Sequence, residues 1–266
     1  MTQKYSQKEI HIGDGAAIPR RKDAGLFNAW WLTFFGAVGT IIYLCVAEPD
    51  PYWRILQFLP DGVLVTFQVT ILSILFSLVL GLVTGLGRLS RNRLVNLAAS
   101  TYVEIIRGIP LLVQLFYIYY ALGRIQIFQN LPPLAAAVVA MGICYGAYMG
   151  EVFRAGIESI DKGQAEAARS LGFSRAQTML LVVLPQAWRT ILPPVGNEFI
   201  ALLKDSSLVS ILAVSDLLRR GREFAGESFL YFEAYTMVAL VYLVITLFLS
   251  KAVSKMEQRL NYYERD

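Results

Sequence analysis

Apolar runs long enough to cross a bilayer recur along this chain, and they restrict its fold more than any other feature. Candidate helices fall at about 27–47, 62–87, 97–122, 133–154, 191–214 and 233–254. At 1.5 Å per residue each can cross roughly 30 Å of hydrocarbon. Of the 266 residues, 56% are hydrophobic and 17% charged, which is less charge than a soluble globular domain of this size carries. The expected fold is therefore all-α and integral to the membrane, with about six transmembrane helices. The size suits one domain. The expected layout is a cytoplasmic tail over 1–26, a transmembrane domain over 27–256 and a second cytoplasmic tail over 257–266.

Basic residues set the expected orientation, because loops rich in Lys and Arg stay in the cytoplasm. Arg20, Arg21 and Lys22 precede the first run, and Arg88, Arg91 and Arg93 separate the second from the third. Arg154, Lys162, Arg169, Arg175 and Arg189 lie between the fourth and fifth, and Lys251, Lys255 and Arg259 follow the last. All four groups fall on one side. Arg219, Arg220 and Arg222 fall on the other, partly offset by Glu223 and Glu227. Both termini are thus expected inside. The run Phe27–Ala47 lacks a clear small-residue cleavage site and should stay as an anchor. The net charge of +4 is small and gives no reason to expect nucleic acid.

Residues 161–185 form a polar island in this apolar chain. Asp161 can cap a helix, with Gln164 three residues later closing a capping box. Gly172 fits the left-handed stop after that helix. Ser174 and Gln177 form a second capping box, and Pro185 is expected to close the segment that follows. The island thus reads helix, glycine joint, helix: either a docking knob or an ordinary surface loop. The small Ala167 and Ala168 would let a partner approach the first helix.

Three sets of charges fall inside candidate spans, where each costs at least ~2.5–3.5 kcal/mol near the centre. Glu104 and Arg107 are spaced to pair, followed by Gly108 and Pro110, which would weaken or kink the third span. Glu151 and Arg154 are spaced likewise and read as a structural pair. Lys204, Asp205, Ser206 and Ser207 interrupt the fifth span, with Asp205 able to cap its second half. A helix broken at mid-depth suits a path for zwitterions. Lys204 and Asp205 could meet substrate directly, or be held by Glu104 and Arg107 as a latch. The glycines at 142, 146 and 150, and those at 81 and 85, allow close helix crossing within the subunit or between subunits.

Several functions are excluded by what is missing. There is no phosphate-cradling G-x-x-x-x-G-K-[ST] loop and no H-E-x-x-H. Cys45 and Cys144 sit in apolar runs as small hydrophobes, and His11 is the only histidine. No catalytic residue, metal site or chain-bound cofactor is expected.

The island resembles the EAA loop of ABC-importer permeases: Glu166-Ala167-Ala168, Gly172 four residues after the second alanine, then Leu184-Pro185. The stretches VEIIRGIPLLVQLFYIYY, GAYMGEVFRAGIESIDKGQAEAARSLGFS and VLPQAWRTILPPVGNEFIALLKDSSLVSIL resemble the polar amino-acid uptake class, over roughly residues 60–260 in all. The resemblance implies the type I importer permease fold, with the first span added to the family core. It implies a bacterial inner-membrane location and coupling through Glu166, Ala167, Ala168, Gly172, Leu184 and Pro185. The implied partners are a dimer of cytoplasmic ATPases using ATP–Mg, a second permease subunit and an extracytoplasmic amino-acid-binding protein. The implied path or gate runs past Glu104, Arg107 and Lys204–Ser207. The chain itself would not be an enzyme. The alternative, a stand-alone secondary transporter or channel, predicts inverted repeats or two matched broken helices. The sequence holds one such helix and no repeat.

The orientation is testable. Cysteines placed at positions 11 and 225 should label from opposite faces of the membrane; labelling of both from outside would reject the map.

Overall fold

The computed structural model describes residues 29–126 and 129–262. These are helical and connecting segments, with no strand among the described residues. In order, the helices are α1 (Ala29–Ala47), α2 (Pro49–Phe58), α3 (Pro60–Arg88), α4 (Arg93–Gly108), α5 (Leu111–Leu122), α6 (Pro133–Glu158), α7 (Lys162–Ser170), α8 (Arg175–Thr178), α9 (Leu184–Asp205), α10 (Leu217–Ser228) and α11 (Tyr231–Tyr262). A π-helical turn, Met179–Val183, joins α8 to α9, and a 3-10 segment, Ser206–Leu212, follows α9. Of the expected spans, the first, described over Ala29–Ala47, and those at 62–87, 133–154 and 233–254 appear as helices long and apolar enough to cross a bilayer.

The centre of the molecule is the crossing of α3 and α6, and it explains the glycine spacing. Gly81 and Gly85 on α3 face Met149, Gly150 and Phe153 on α6, while Gly142, Gly146 and Gly150 face Phe76, Leu80 and Thr84. Both glycine rows are therefore used within this subunit. A methyl group at Gly81 would lie 2.9 Å from the Met149 carbonyl carbon and 3.0 Å from the Gly150 nitrogen, neither of which can yield. The same face of α3 carries buried hydroxyls that bond back to their own helix, as Thr70 does to the Thr66 carbonyl at 2.7 Å. Around this crossing α5, α9 and the 3-10 segment complete one buried core.

A second core joins α1, α2, α10 and the first half of α11 through Ile55, Leu59, Leu217, Phe224 and Met237. Here two of the three arginines that opposed the charge rule, Arg219 and Arg220, have acidic partners. Arg219 pairs with Glu223 at 2.9 Å, and Arg220 with Glu223 and Asp61 at 3.3 and 3.4 Å, its guanidinium lying over the Phe58 ring.

Two expected spans are broken. The third, 97–122, is two helices, α4 and α5, meeting at 113°. Ile109 is extended (φ −109°, ψ 137°), as expected before Pro110, whose ring excludes the helical conformation there. The carbonyls this frees at Ile106 and Ile109 accept hydrogen bonds from the buried Gln114 side chain. The fifth, 191–214, begins earlier, at Leu184, and ends at Asp205, with Pro193 and Pro194 accommodated inside it. It does not continue as a second α-helix. Asp205 caps nothing, and the chain runs on as the 3-10 segment to Ala213, which is left-handed (φ 64°).

We expect Gly81→Ala to destabilise the fold by roughly 1–3 kcal/mol, as overpacking of a tight core does. Gly36→Ala, where an added Cβ meets nothing within 4 Å, should be neutral. Thermal unfolding of the two variants in detergent makes the comparison; equal midpoints would refute the crossing.

Candidate functional site

The polar island folds as two helices about a glycine joint. Asp161 caps α7 by accepting from the Gly163 amide at 2.6 Å. The expected capping box with Gln164 does not form. The Gln164 side chain instead accepts from Gln186 Nε2 at 3.4 Å, because glycine at 163 lets the carboxylate take the nearer amide. At the other end, the Gly172 amide donates to the Arg169 carbonyl and the Phe173 amide to the Ala168 carbonyl. This is the paired bonding of a Schellman stop, and Gly172 has the left-handed φ of 87° it demands. Ser174 and Gln177 do form the capping box that opens α8. Pro185 does not close the segment. It sits in the first turn of α9, where a missing amide proton costs nothing, and the π turn carries the helix past it.

This geometry sorts the loop residues by exposure. Ala168 is buried, and Leu184 half-buried, while Glu166, Ala167, Gly172 and Pro185 are exposed. Leu171 is 79% exposed and Phe173 38%. The joint thus presents apolar side chains beside a helix that carries Lys162, Glu166 and Arg169.

The charges at the same end of the bundle converge on Glu151. Its carboxylate accepts from Arg154 Nε at 3.1 Å and also pairs with Arg88 from the end of α3; Arg154 further pairs with Glu158. The spacing of Glu151 and Arg154 anticipated their pair but not Arg88, which comes from 63 residues away. Glu104 and Arg107 do not pair. Both are exposed, and Arg107 lies 5.8 Å from the Tyr148 ring. Arg107 instead borders a cavity of about 360 Å³ with Tyr148, Glu151, Thr190 and Glu198. Glu198 is half-buried and makes no salt bridge among the described residues. Glu198 falls outside the charged sets read from the sequence, although it is a carboxylate in the same candidate span as Lys204.

The four residues at the break in the fifth span separate. Lys204 is exposed and forms no salt bridge with Glu104 or any other described residue. The Asp205 carboxylate accepts from the Tyr145 hydroxyl at 2.8 Å, tying α9 to α6. Ser206 is buried and donates to the Leu203 carbonyl at 2.8 Å, and Ser207 is half-buried. Beyond the 3-10 segment, the buried Asp216 caps α10 through the Leu218 and Arg219 amides.

Apolar helices of membrane-spanning length, with a capped polar loop between α6 and α9, are the architecture of a polytopic membrane protein. Residues 55–262 match the family described as the binding-protein-dependent transport system inner membrane component. The chain belongs to that family. It is 38% identical over 208 residues to a glutamine transport system permease protein of Escherichia coli (strain K12), covering 78% of this chain and 95% of the relative. It is 39% identical over 217 residues to an L-cystine transport system permease protein of Bacillus subtilis (strain 168), covering 80% and 89%. Among solved structures, an amino acid ABC transporter crystallised with histidines superposes with a TM-score of 0.72 at 40% identity, over 82% of this chain and 98% of that one. A methionine ABC transporter in inward-facing form, 20% identical, superposes at 0.66 over 78% and 98%, which supports the fold alone. The chain is thus a permease of the ABC importer type and not a stand-alone carrier.

Tyr145→Phe should strand the Asp205 carboxylate and cost roughly 1–3 kcal/mol. Adding Asp205→Asn should recover part of that loss in thermal unfolding. No difference between the single and the double variant would show that the hydroxyl carries no weight.

Proposed function

We propose that this chain is the membrane subunit of an importer that moves a polar amino acid into a bacterial cell, driven by a separate cytoplasmic ATPase that docks on residues 161–185. The observation that carries the proposal is the Schellman-stopped joint at Gly172, with Glu166 and Ala167 exposed beside Leu171 and Phe173. Exposed leucine and phenylalanine on a polar loop favour a protein partner. ATP–Mg would act in that partner, since this chain offers no phosphate cradle. The family membership supports an inner-membrane location, and the basic clusters favour both termini in the cytoplasm. An extracytoplasmic binding protein would deliver the substrate, and a second permease subunit would complete the pathway.

In this reading the substrate passes the cavity between α4, α6 and α9. Arg107 and Glu198 offer opposite charges there, as the two ends of a zwitterion require. Lys204, Asp205, Ser206 and Ser207 form the adjoining gate, and Glu104 and Lys204 are both exposed and able to pair in another conformation. The relatives' printed substrates, glutamine and cystine, favour a polar amino acid.

Co-expression with the cell's ATPases and reconstitution in vesicles tests this reading. A P-loop ATPase should co-purify, and substrate with its binding protein should stimulate hydrolysis. Gly172→Val places a branched side chain at φ 87°, costing roughly 1–2 kcal/mol at the joint. The variant should still insert in the membrane but lose stimulated hydrolysis. Normal stimulation in the variant would defeat the docking role.

A further inference from the structure

The beginning of α1 and the last third of α11 form an aromatic and cationic cluster that neither coupling nor the pathway uses. Trp30 and Trp31 meet edge to face at 4.6 Å, Trp30 stacks on Phe34 at 5.1 Å and Trp31 on Phe35 at 5.2 Å. Trp30 is fixed to α11 by its indole N–H, which donates to the Leu247 carbonyl at 3.0 Å. The ammonium of Lys251 lies 5.1 Å from the Trp30 ring centre and 6.0 Å from that of Trp31. Lys251 forms no salt bridge among the described residues, and the Trp31 indole N–H has no acceptor among them. Lys255, one turn further along α11, is exposed and likewise forms no salt bridge among the described residues. At 100° per residue it shares the Lys251 face, whereas Glu257 lies about 240° round from Lys251.

The position of this cluster fixes what can reach it. Val253 and Met256 close against Gly196 of α9, and Ile191 of α9 closes against Gly156 of α6, just before α6 gives way to the coupling loop. The cluster therefore lies at the coupling-loop end of the bundle. Its neighbours Leu32, Phe35 and Phe248 are 76%, 57% and 64% exposed, a surface suited to lipid rather than water. Indole rings and lysines at such a height sit among headgroups. Arg20, Arg21 and Lys22 enter α1 from the same end in sequence.

We infer that Trp31, Lys251 and Lys255 form a binding site for the headgroup of an anionic phospholipid in the leaflet on the coupling-loop side. The phosphodiester would accept from the Lys251 ammonium and the Trp31 indole N–H, with the acyl chains along Phe35 and Phe248. Lys255 supplies the preference for net negative charge over a zwitterionic headgroup, which already balances its own phosphate. The inference requires only that the chain spans a membrane. It does not depend on the substrate or on the docking of an ATPase.

The test uses the full chain with Trp53→Phe and Trp188→Phe, so that Trp30 and Trp31 alone report. It is placed in phosphatidylcholine nanodiscs holding a minor fraction of brominated phosphatidylglycerol or brominated phosphatidylcholine, and tryptophan quenching is read as the ratio of the two. Brominated phosphatidylglycerol should quench at several-fold lower mole fraction. Each of Lys251→Gln and Lys255→Gln should reduce that preference by roughly five-fold, and high salt should weaken it. Lys251→Arg should retain it. Equal quenching by the two lipids would overturn the site. So would a preference that survives both glutamine substitutions, or one that vanishes only when Arg20, Arg21 and Lys22 are replaced, which would assign it to the tail.

Discussion

The close approach of α3 and α6 is the contact on which the rest of the membrane domain depends. Between helices in lipid there is no hydrophobic driving force, so association rests on van der Waals contact and on what hydrogen bonds the interface allows. Gly81, Gly85 and Gly150 supply that contact by letting backbone meet backbone, while Gly146 makes room for the Leu80 side chain. Once the two helices are this close, α6 can present Tyr145 to α9 and Glu151 to Arg88, and both ties follow from the crossing.

The chain departs from regular helix twice at membrane depth, and each time a buried polar side chain meets the need. At Gly108–Pro110 the side-chain amide of Gln114 takes up the freed carbonyls. At Asp205 the Tyr145 hydroxyl holds the carboxylate while the backbone tightens into a 3-10 segment. Irregular backbone in a bilayer is tolerated only where protein or a water-filled cavity surrounds it. The cavity lined by Arg107, Glu151 and Glu198 lies between these two breaks and the end of the bundle that carries the 161–185 loop, so polar groups and irregular backbone share one region of the fold. The 161–185 loop is built differently, from local structure: two caps, a Schellman stop and a π turn that carries α8 into α9.

The sequence by itself determined the helical class, most of the span positions and the helix–glycine–helix form of the 161–185 loop. Those features depend on short-range rules: hydropathy over some 20 residues, a cap three residues from its partner, a left-handed glycine after the last helical turn. Where two local solutions competed, the reading went astray, as when Asp161 capped through Gly163 rather than with Gln164, and when Pro185 fell at a helix start. Tertiary structure alone decided that Arg88 joins Glu151, that Asp205 belongs to Tyr145 rather than to a helix end, that Glu104 and Arg107 stay apart, and that Glu198 faces the same cavity as Arg107. Apart from Glu104 and Arg107, which share α4, these cases bring together residues from different helices. Such partners are chosen by the crossing of α3 with α6 and the bends at Pro110 and Asp205, and helix spacing within one segment carries no information about them.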